Sequence, residues 1–168
     1  MKTRHTLSMA LLAIGSLLGF SGRREELHNE ASTAGTHANG VIPLVAEVTM
    51  ASRYLLVQKG AADNGFIVNV ATTRPWGVCL DEPVFDASKV TKAAVALLGC
   101  AEGTLKGRVN GATLAGAKLW TAAGGKLTST YAAGAFYCGR GVNATSGDGD
   151  IVELAHNSPL LDASGTTL

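Results

Sequence analysis

The sequence predicts an all-β protein, a small β-barrel or sandwich of about eight to ten short strands with an extended N-terminal arm or helix. Three observations support this fold class. Short apolar runs alternate with turn-forming segments, at roughly the 8–12-residue spacing typical of such folds. The chain has 21 glycines but only four prolines in 168 residues, which favours many tight turns over a disordered tract. Aromatic residues make up 5% of the chain against 46% hydrophobic residues, so small apolar side chains must fill much of the core.

The expected strands follow one another from residue 41 onward. In residues 66–71, Phe66, Val68 and Val70 recur with period two, so we expect them to face the same way. Residues 104–109 alternate between small or apolar and polar side chains in the same manner. Residues 83–92 are expected to form a loop or a short helix. The other predicted strands are residues 53–58, 76–82, 93–98, 118–120, 127–131, 134–142 and 150–156.

Residues 110–129 contain a hairpin signal and a near match to a phosphate-binding loop. Asn110-Gly111 is the strongest short hairpin signal known in sequences. Gly111 and Gly116 have the separation found in the motif G-x-x-x-x-G-K-[ST], but Ala117 stands where the Lys belongs and Lys118 comes one place late. That motif also needs a helix after its Lys, whereas two further glycines follow here within a few residues. We therefore expect turns in this segment and no nucleotide site.

The N-terminal 40 residues differ in character from the rest of the chain, and we expect two parts, an arm of residues 1–40 and a single β domain of residues 41–168. Lys2 and Arg4 precede an apolar run over residues 7–20, which is typical of a secretory signal. The alternative is a structural arm or helix that packs on a partner. Residues 23–40 are polar and are expected to form a linker.

Charge and cysteine usage narrow the function classes. The net charge is +1 and no dense Lys/Arg run is present, which argues against a nucleic-acid-binding protein. Cys79, Cys100 and Cys138 each lie in or beside an apolar run, and none forms a C-x-x-C pair. We expect all three to be small buried hydrophobic residues, and the sequence does not decide whether any two of them pair.

No catalytic or metal-binding pattern emerges from the sequence. Of the four histidines, only His156 lies in the expected β domain, at the end of the last predicted strand. None of the common nucleophile or zinc motifs is present. Asp148 and Asp150 alternate with glycines as in one unit of a calcium-binding repeat, but that architecture needs tandem copies, so a hairpin turn is expected. We predict a protein that is not an enzyme and has no metal or other cofactor.

The order of segments over residues 41–157 resembles the phage capsid cement, or head decoration, protein family. In that family a strand pair leads to a P-x-G-V step, then an A-G-x-x-L-x-x-x-x-x-G-K segment, and finally a G-x-x-V-E-V strand. The matching segments here are residues 75–78 (PWGV), 115–126 (AGAKLWTAAGGK) and 149–154 (GDIVEL). Each motif consists of common turn residues, so the ordered series is what carries the resemblance.

The resemblance implies a structural virion protein on the outer surface of a phage head. Such proteins cement neighbouring capsid subunits, so the implied partner is the major capsid protein, and the implied assembly is a homotrimer with no small-molecule substrate. In this interpretation residues 7–20 anchor into a partner, residues 41–45 pair with a strand edge, and two tryptophans are interface anchors, although core packing is the alternative for both. The candidate contact residues are Leu11, Ile14, Leu18, Val41, Ile42, Pro43, Leu44, Trp76 and Trp120.

A second hypothesis follows from the signal-like N-terminus. It is a secreted β-sandwich that binds carbohydrate or another surface ligand, and its mature chain would start near Gly22. Exposed aromatic side chains would line its site, with Trp76, Trp120, Tyr131 and Tyr137 as the candidates.

Overall fold

The computed structural model describes residues 38–161, and its side chains over residues 39–160. The predicted arm, including Leu11, Ile14 and Leu18, lies outside the described residues. Within them the chain forms ten strands and two short 3-10 turns, Ala38–Gly40 and Ala123–Gly125, and none of the described elements is a longer helix. The strands are β1 (Val41–Ala46), β2 (Leu56–Lys59), β3 (Gly65–Val68), β4 (Gly77–Cys79), β5 (Lys92–Leu97), β6 (Leu105–Arg108), β7 (Lys118–Thr121), β8 (Leu127–Thr128), β9 (Phe136–Gly141) and β10 (Ile151–Leu161).

The first five strands close into a barrel in the order β1-β3-β2-β4-β5, with β5 pairing back onto β1. All of its strand pairs are antiparallel except β1 with β3, which run parallel and pair only at Val45 and Ala46. The last five strands form a second, antiparallel sheet in the order β6-β10-β9-β7-β8. The predicted all-β fold with a small barrel is therefore confirmed.

Alternation along the barrel strands builds two hydrophobic clusters from one set of strands. Because successive side chains of a strand point to opposite faces, Leu55 and Val57 pack in the first cluster while Leu56 packs in the second. The first cluster fills the barrel and consists of Leu44, Ala46, Met50, Leu55, Val57, Phe66, Cys79, Ala93 and Val95. The second joins barrel strands to the second sheet and consists of Leu56, Val78, Leu98, Val109, Leu119, Leu127, Cys138, Val152 and Leu154. The second cluster therefore fixes the sheet on the barrel.

Two local predictions were wrong, and backbone hydrogen bonds and strand order explain them. Val70 does not share the inner face with Phe66, because β3 ends at Val68 and the chain turns, with the Thr73 N–H bonded to the Val70 carbonyl at 3.1 Å. Val70 is 50% exposed as a result. Asn110-Gly111 does form a bend, but no hairpin, since β10 and β9 lie between β6 and β7. The Asn110 N–H instead donates to the carbonyl of Leu127, the first residue of β8, at 2.6 Å.

The remaining turn predictions are confirmed. Residues 143–150 connect β9 to β10, which are antiparallel neighbours, as expected of a hairpin. Residues 83–92 contain no helix; residues 83–91 form the loop before β5, and Lys92 is the first residue of β5. Lys118, the residue that a phosphate-binding loop would place at the start of a helix, begins strand β7 instead. Among residues 38–161, no helix is long and apolar enough to span a bilayer.

Candidate partner-binding groove

An open groove lies where the barrel meets β10 of the second sheet, and we call it the junction groove. Its volume is about 450 Å³. Its floor is apolar, and the floor residues are buried or half-buried. The floor is formed by Ile42, Pro75, Trp76, Leu97, Leu98 and Pro159. The three remaining lining residues, Arg74, Cys100 and Ser158, are exposed and form the rim.

Backbone hydrogen bonds to both flanking strands hold Trp76 at the centre of the groove. The Trp76 N–H donates to the Val57 carbonyl at 2.8 Å, and the Trp76 carbonyl accepts from the Leu98 N–H at 3.0 Å. The Nζ of Lys59 lies 5.6 Å from the centre of the indole ring, within the range of a cation–π contact. The backbone of Trp76 is therefore fixed on both sides, and its half-buried ring contributes to the groove floor.

The turn after β5 forms one wall of the groove and is tied to β10. The Gly99 N–H donates to Nδ1 of His156 at 2.9 Å. Gly99 has a φ of 80°, and a Cβ at this position would lie 2.6 Å from the backbone nitrogen of Ser158. Only glycine therefore permits this close approach between the turn and β10. Burial lowers the pKa of His156 more than the backbone carbonyls of Ala101 and Gly103 raise it, so the neutral imidazole that accepts this bond is favoured.

Arg74 is the positively charged residue on the rim of the junction groove. Its Nη2 donates to the Ser158 hydroxyl at 3.3 Å, and within the described part of the chain no carboxylate lies at ion-pair distance from it. Lys59 is the other cation beside Trp76, and it interacts with Glu47. The N–H groups of Ala61 and Ala62 lower the pKa of the Glu47 carboxyl most, and the positive charge of Lys59 lowers it further. The guanidinium of Arg74 therefore remains available to an anionic group from outside.

The structure brings two of the predicted contact residues together and separates the others. Ile42 and Trp76 both line the junction groove. Leu44 is 5% exposed and belongs to the barrel core. Trp120 is 6% exposed and packs against two tyrosines, with ring centres 5.9 Å from Tyr131, between β8 and β9, and 6.2 Å from Tyr137 of β9. Packing inside the chain therefore accounts for Leu44 and Trp120.

Strand β1 is extended, as predicted, but the strands that pair with it belong to its own chain. Its residues Val41–Val45 are paired with β5 along their whole length. The opposite edge is paired only at Val45 and Ala46. The N–H of Val45 points toward β3, whereas the N–H of Ala46 points toward β5. Because these directions alternate along a strand, position 43 also faces the β3 side, where β1 is unpaired. Pro43 has no N–H to offer there. A proline there interrupts the edge where another strand would bind.

Of the nine lining residues of the groove, the sequence indicated Ile42 and Trp76 as contact residues and missed the other seven. Arg74 is two residues from Trp76, and that proximity was the one available signal. Cys100 was predicted to be buried, and this was wrong, because it lies on the exposed turn after β5. The prediction is confirmed for Cys79 and Cys138, which are buried, and none of the three cysteines forms a disulfide.

Carboxylates elsewhere in the domain fix turns. Asp150 accepts hydrogen bonds from the Ser146 N–H, the Ser146 hydroxyl and the Gly147 N–H, at 2.8 to 2.9 Å, and these bonds lower its pKa. The hydroxyl and N–H of Ser88 lower the pKa of Asp86 in the same way. Among residues 38–161, no three His, Cys, Asp or Glu side chains are grouped as metal ligands. The carboxylates of Asp86 and Asp150 therefore fix the geometry of their turns.

No protein-family model matches this chain, and no curated protein sequence matches it. The junction groove therefore has to be interpreted from its own geometry. An apolar floor with one exposed cation at the rim suits a ligand that presents an apolar group beside an anionic one. Its open shape and its position on the domain surface suit a segment of another protein.

Proposed function

We propose that this protein is a structural component of a phage head that binds the outer surface of the capsid and cements neighbouring capsid subunits. The observation that carries the proposal is the ordered series of family-like segments along residues 41–157. In the fold, residues 75–78 lead into β4, residues 115–126 span β7 and the turn after it, and residues 149–154 open β10. The segments that carry the resemblance thus lie at one strand of the barrel and two strands of the second sheet.

The physical properties of the domain suit such a role. A closed barrel joined to a second sheet by a shared apolar cluster loses little conformational entropy when it docks. Many modest contacts, repeated on a symmetric shell, then add up through avidity. A homotrimer placed at a local threefold position would make three such contacts, one from each chain. This assembly is part of the proposal.

The test is binding to heads from which the decoration protein is absent. Purified protein is mixed with heads of its own phage, the heads are sedimented, and the bound protein is quantified against its concentration. We expect saturable binding with a stoichiometry set by the threefold positions. Heads that already carry the protein are the control, and they should bind little more. Absence of saturable binding to the undecorated heads would remove the proposal.

The secreted carbohydrate-binding protein remains the alternative. The aromatic side chains on which it rests are only partly available, since Trp120 is buried against Tyr131 and Tyr137. The intact mass of the native protein separates the two. A mass near 17.2 kDa in purified virions agrees with the capsid proposal, whereas a chain in a secreted fraction that starts near Gly22 favours the alternative.

A further inference from the structure

We propose that the junction groove is the capsid-binding site of this domain, and that it accepts an apolar side chain flanked by a carboxylate from the major capsid protein. This inference rests on the proposed function and adds to it a specific surface and the chemistry of the segment that binds there. It follows from the shape of the groove, the charge at its rim and the positions of the paired strand edges.

The apolar half of the recognition comes from the floor. Its six side chains come from the barrel, the segments that connect its strands and β10, and the backbone of Trp76 is bonded on both sides. A volume of about 450 Å³ lies within the range of roughly 300–1,000 Å³ for ligand sites, and is large enough for an inserted side chain and part of its backbone. Tryptophan in a well-packed recess is the kind of residue that dominates the free energy of binding at protein interfaces.

The anionic half comes from Arg74. Its guanidinium is exposed, has no carboxylate partner within the described residues and contacts only the Ser158 hydroxyl among the side chains of the rim. Arginine binds carboxylates through two parallel N–H bonds, which fixes orientation as well as charge. The positive charge of Lys59, which also lies beside Trp76, is partly balanced by the negative charge of Glu47. The basic charge of the rim is therefore that of Arg74. A basic segment would therefore be disfavoured at this position.

Two strand edges of the described domain, at β1 and β6, are poorly suited to strand addition by a partner. The barrel is closed, and the unpaired part of β1 carries Pro43, which has no N–H to donate. At β6, the edge of the second sheet, the Arg108 N–H is bonded to the Tyr54 carbonyl at 3.0 Å. Because these edges are occupied or interrupted, side-chain recognition in a groove is the better route to a partner.

Cys100 supplies a direct test, because it lines the groove, is exposed and is chemically distinct from the two buried cysteines. The native protein is labelled at Cys100 with a bulky maleimide, and its affinity for undecorated heads is compared with that of protein carrying a small methylthio group. We expect the bulky label to weaken binding by at least about tenfold and the small one to have little effect. In a Cys100→Ser variant, neither reagent should change the affinity for heads, because the thiol that they modify is absent.

Charge reversal tests the carboxylate. Arg74→Glu should weaken head binding by about tenfold or more. Arg74→Lys should weaken binding much less, because the positive charge is kept; the loss that remains reflects the missing bidentate geometry. The matched control is Lys92→Glu, the same change of charge at the opposite end of β5, about 16 Å from Leu97. Thermal unfolding of each variant establishes that the fold is retained, as expected for exposed positions.

A photo-crosslinker attached to Cys100 identifies the occupant. We expect a crosslink to a capsid-protein segment with an apolar residue next to an Asp or Glu. If the labelled protein and Arg74→Glu both bind heads normally, the groove inference is wrong while the proposed function stands. A crosslink to a second copy of this chain would also overturn it, in favour of a contact between copies. If unmodified protein does not bind heads at all, both proposals fall together.

Discussion

At the scale of single residues, the three cysteines occupy chemically different environments. Burial raises the pKa of the Cys138 thiol to about 12. Burial also raises the pKa of Cys79, and this effect exceeds the lowering caused by its hydrogen bond to the Asp81 carbonyl. Cys100 is exposed on the turn after β5. Since the thiolate is the reactive form and needs access to the reagent, the fold separates one accessible thiol from two protected ones.

We therefore predict that a thiol titration of the native protein at pH 8 detects one reactive group per chain, and three after denaturation. The Cys100→Ser variant provides the control, with no rapid reaction in the native state. Rapid reaction of a second thiol in native Cys100→Ser would mean that the barrel or the second cluster opens much more readily than its packing indicates.

At the scale of elements, the contact between barrel and second sheet depends on a few large side chains. Leu56 is 1% exposed and joins β2 to the cluster that includes Leu119 and Leu154. We predict that Leu56→Ala lowers the free energy of unfolding by about 2–5 kcal/mol, through lost apolar burial and a residual cavity. The matched control is Leu114→Ala, since Leu114 is 78% exposed and should change stability by less than about 0.5 kcal/mol. Urea denaturation measures both, and equal effects would contradict the assigned packing.

The bond between the turn after β5 and β10 predicts a pH dependence. The pKa of His156 is lowered from 6.5 by burial, so the unfolded chain binds a proton more readily than the folded one. The stability contributed by the neutral imidazole is thus present above pH 6.5 and is lost as the pH falls from 6.5 through the lower pKa of the folded state. Urea midpoints measured between about pH 5 and 7 should decrease toward the acid side.

The variant His156→Asn is the control for that pH dependence. Its side-chain oxygen can accept the Gly99 N–H but does not titrate, so the His156 contribution to the slope should disappear while the turn stays in place. An unchanged slope in His156→Asn would assign the pH dependence to another group.

Local patterns predicted much of each strand but not which strands are neighbours. The alternation in residues 104–109 correctly predicts that Leu105, Gly107 and Val109 face inward, because the period of two is a property of the strand itself. The Asn110-Gly111 signal predicts a bend correctly, yet the chain continues to a strand three places away. Strand order depends on contacts between distant segments, and no local pattern encodes them.

The groove shows the same limit. Ile42 and Trp76 could be selected from the sequence as large apolar candidates, and both line it. Leu97 and Pro159 reach the same surface only because β5 pairs with β1 and because β10 crosses beside the turn after β5. Exposure was equally hard to predict, since Leu44 and Trp120 have the same apolar character as the groove residues but are buried.

At the scale of the whole molecule, the ten strands and both apolar clusters lie within residues 38–161. We predict that a protein starting at Ala38 keeps its thermal midpoint within about 3 °C of the full chain, because the described core remains complete. If residues 7–20 anchor into a partner, the same truncation should weaken head binding. Calorimetry and head sedimentation separate these effects. A large fall in the midpoint would mean that the arm contributes to the stability of the β domain.

Pro43 has a consequence for the behaviour of many molecules held side by side. An unpaired stretch of strand is a template onto which another copy can add, and the risk of such addition grows with local concentration. In β1 that stretch contains the one proline of the strand, so the carbonyl of a second chain would face a proline ring where it requires an N–H donor. The domain is thus suited to dense display, because neighbouring copies can crowd together without adding to one another as a growing sheet.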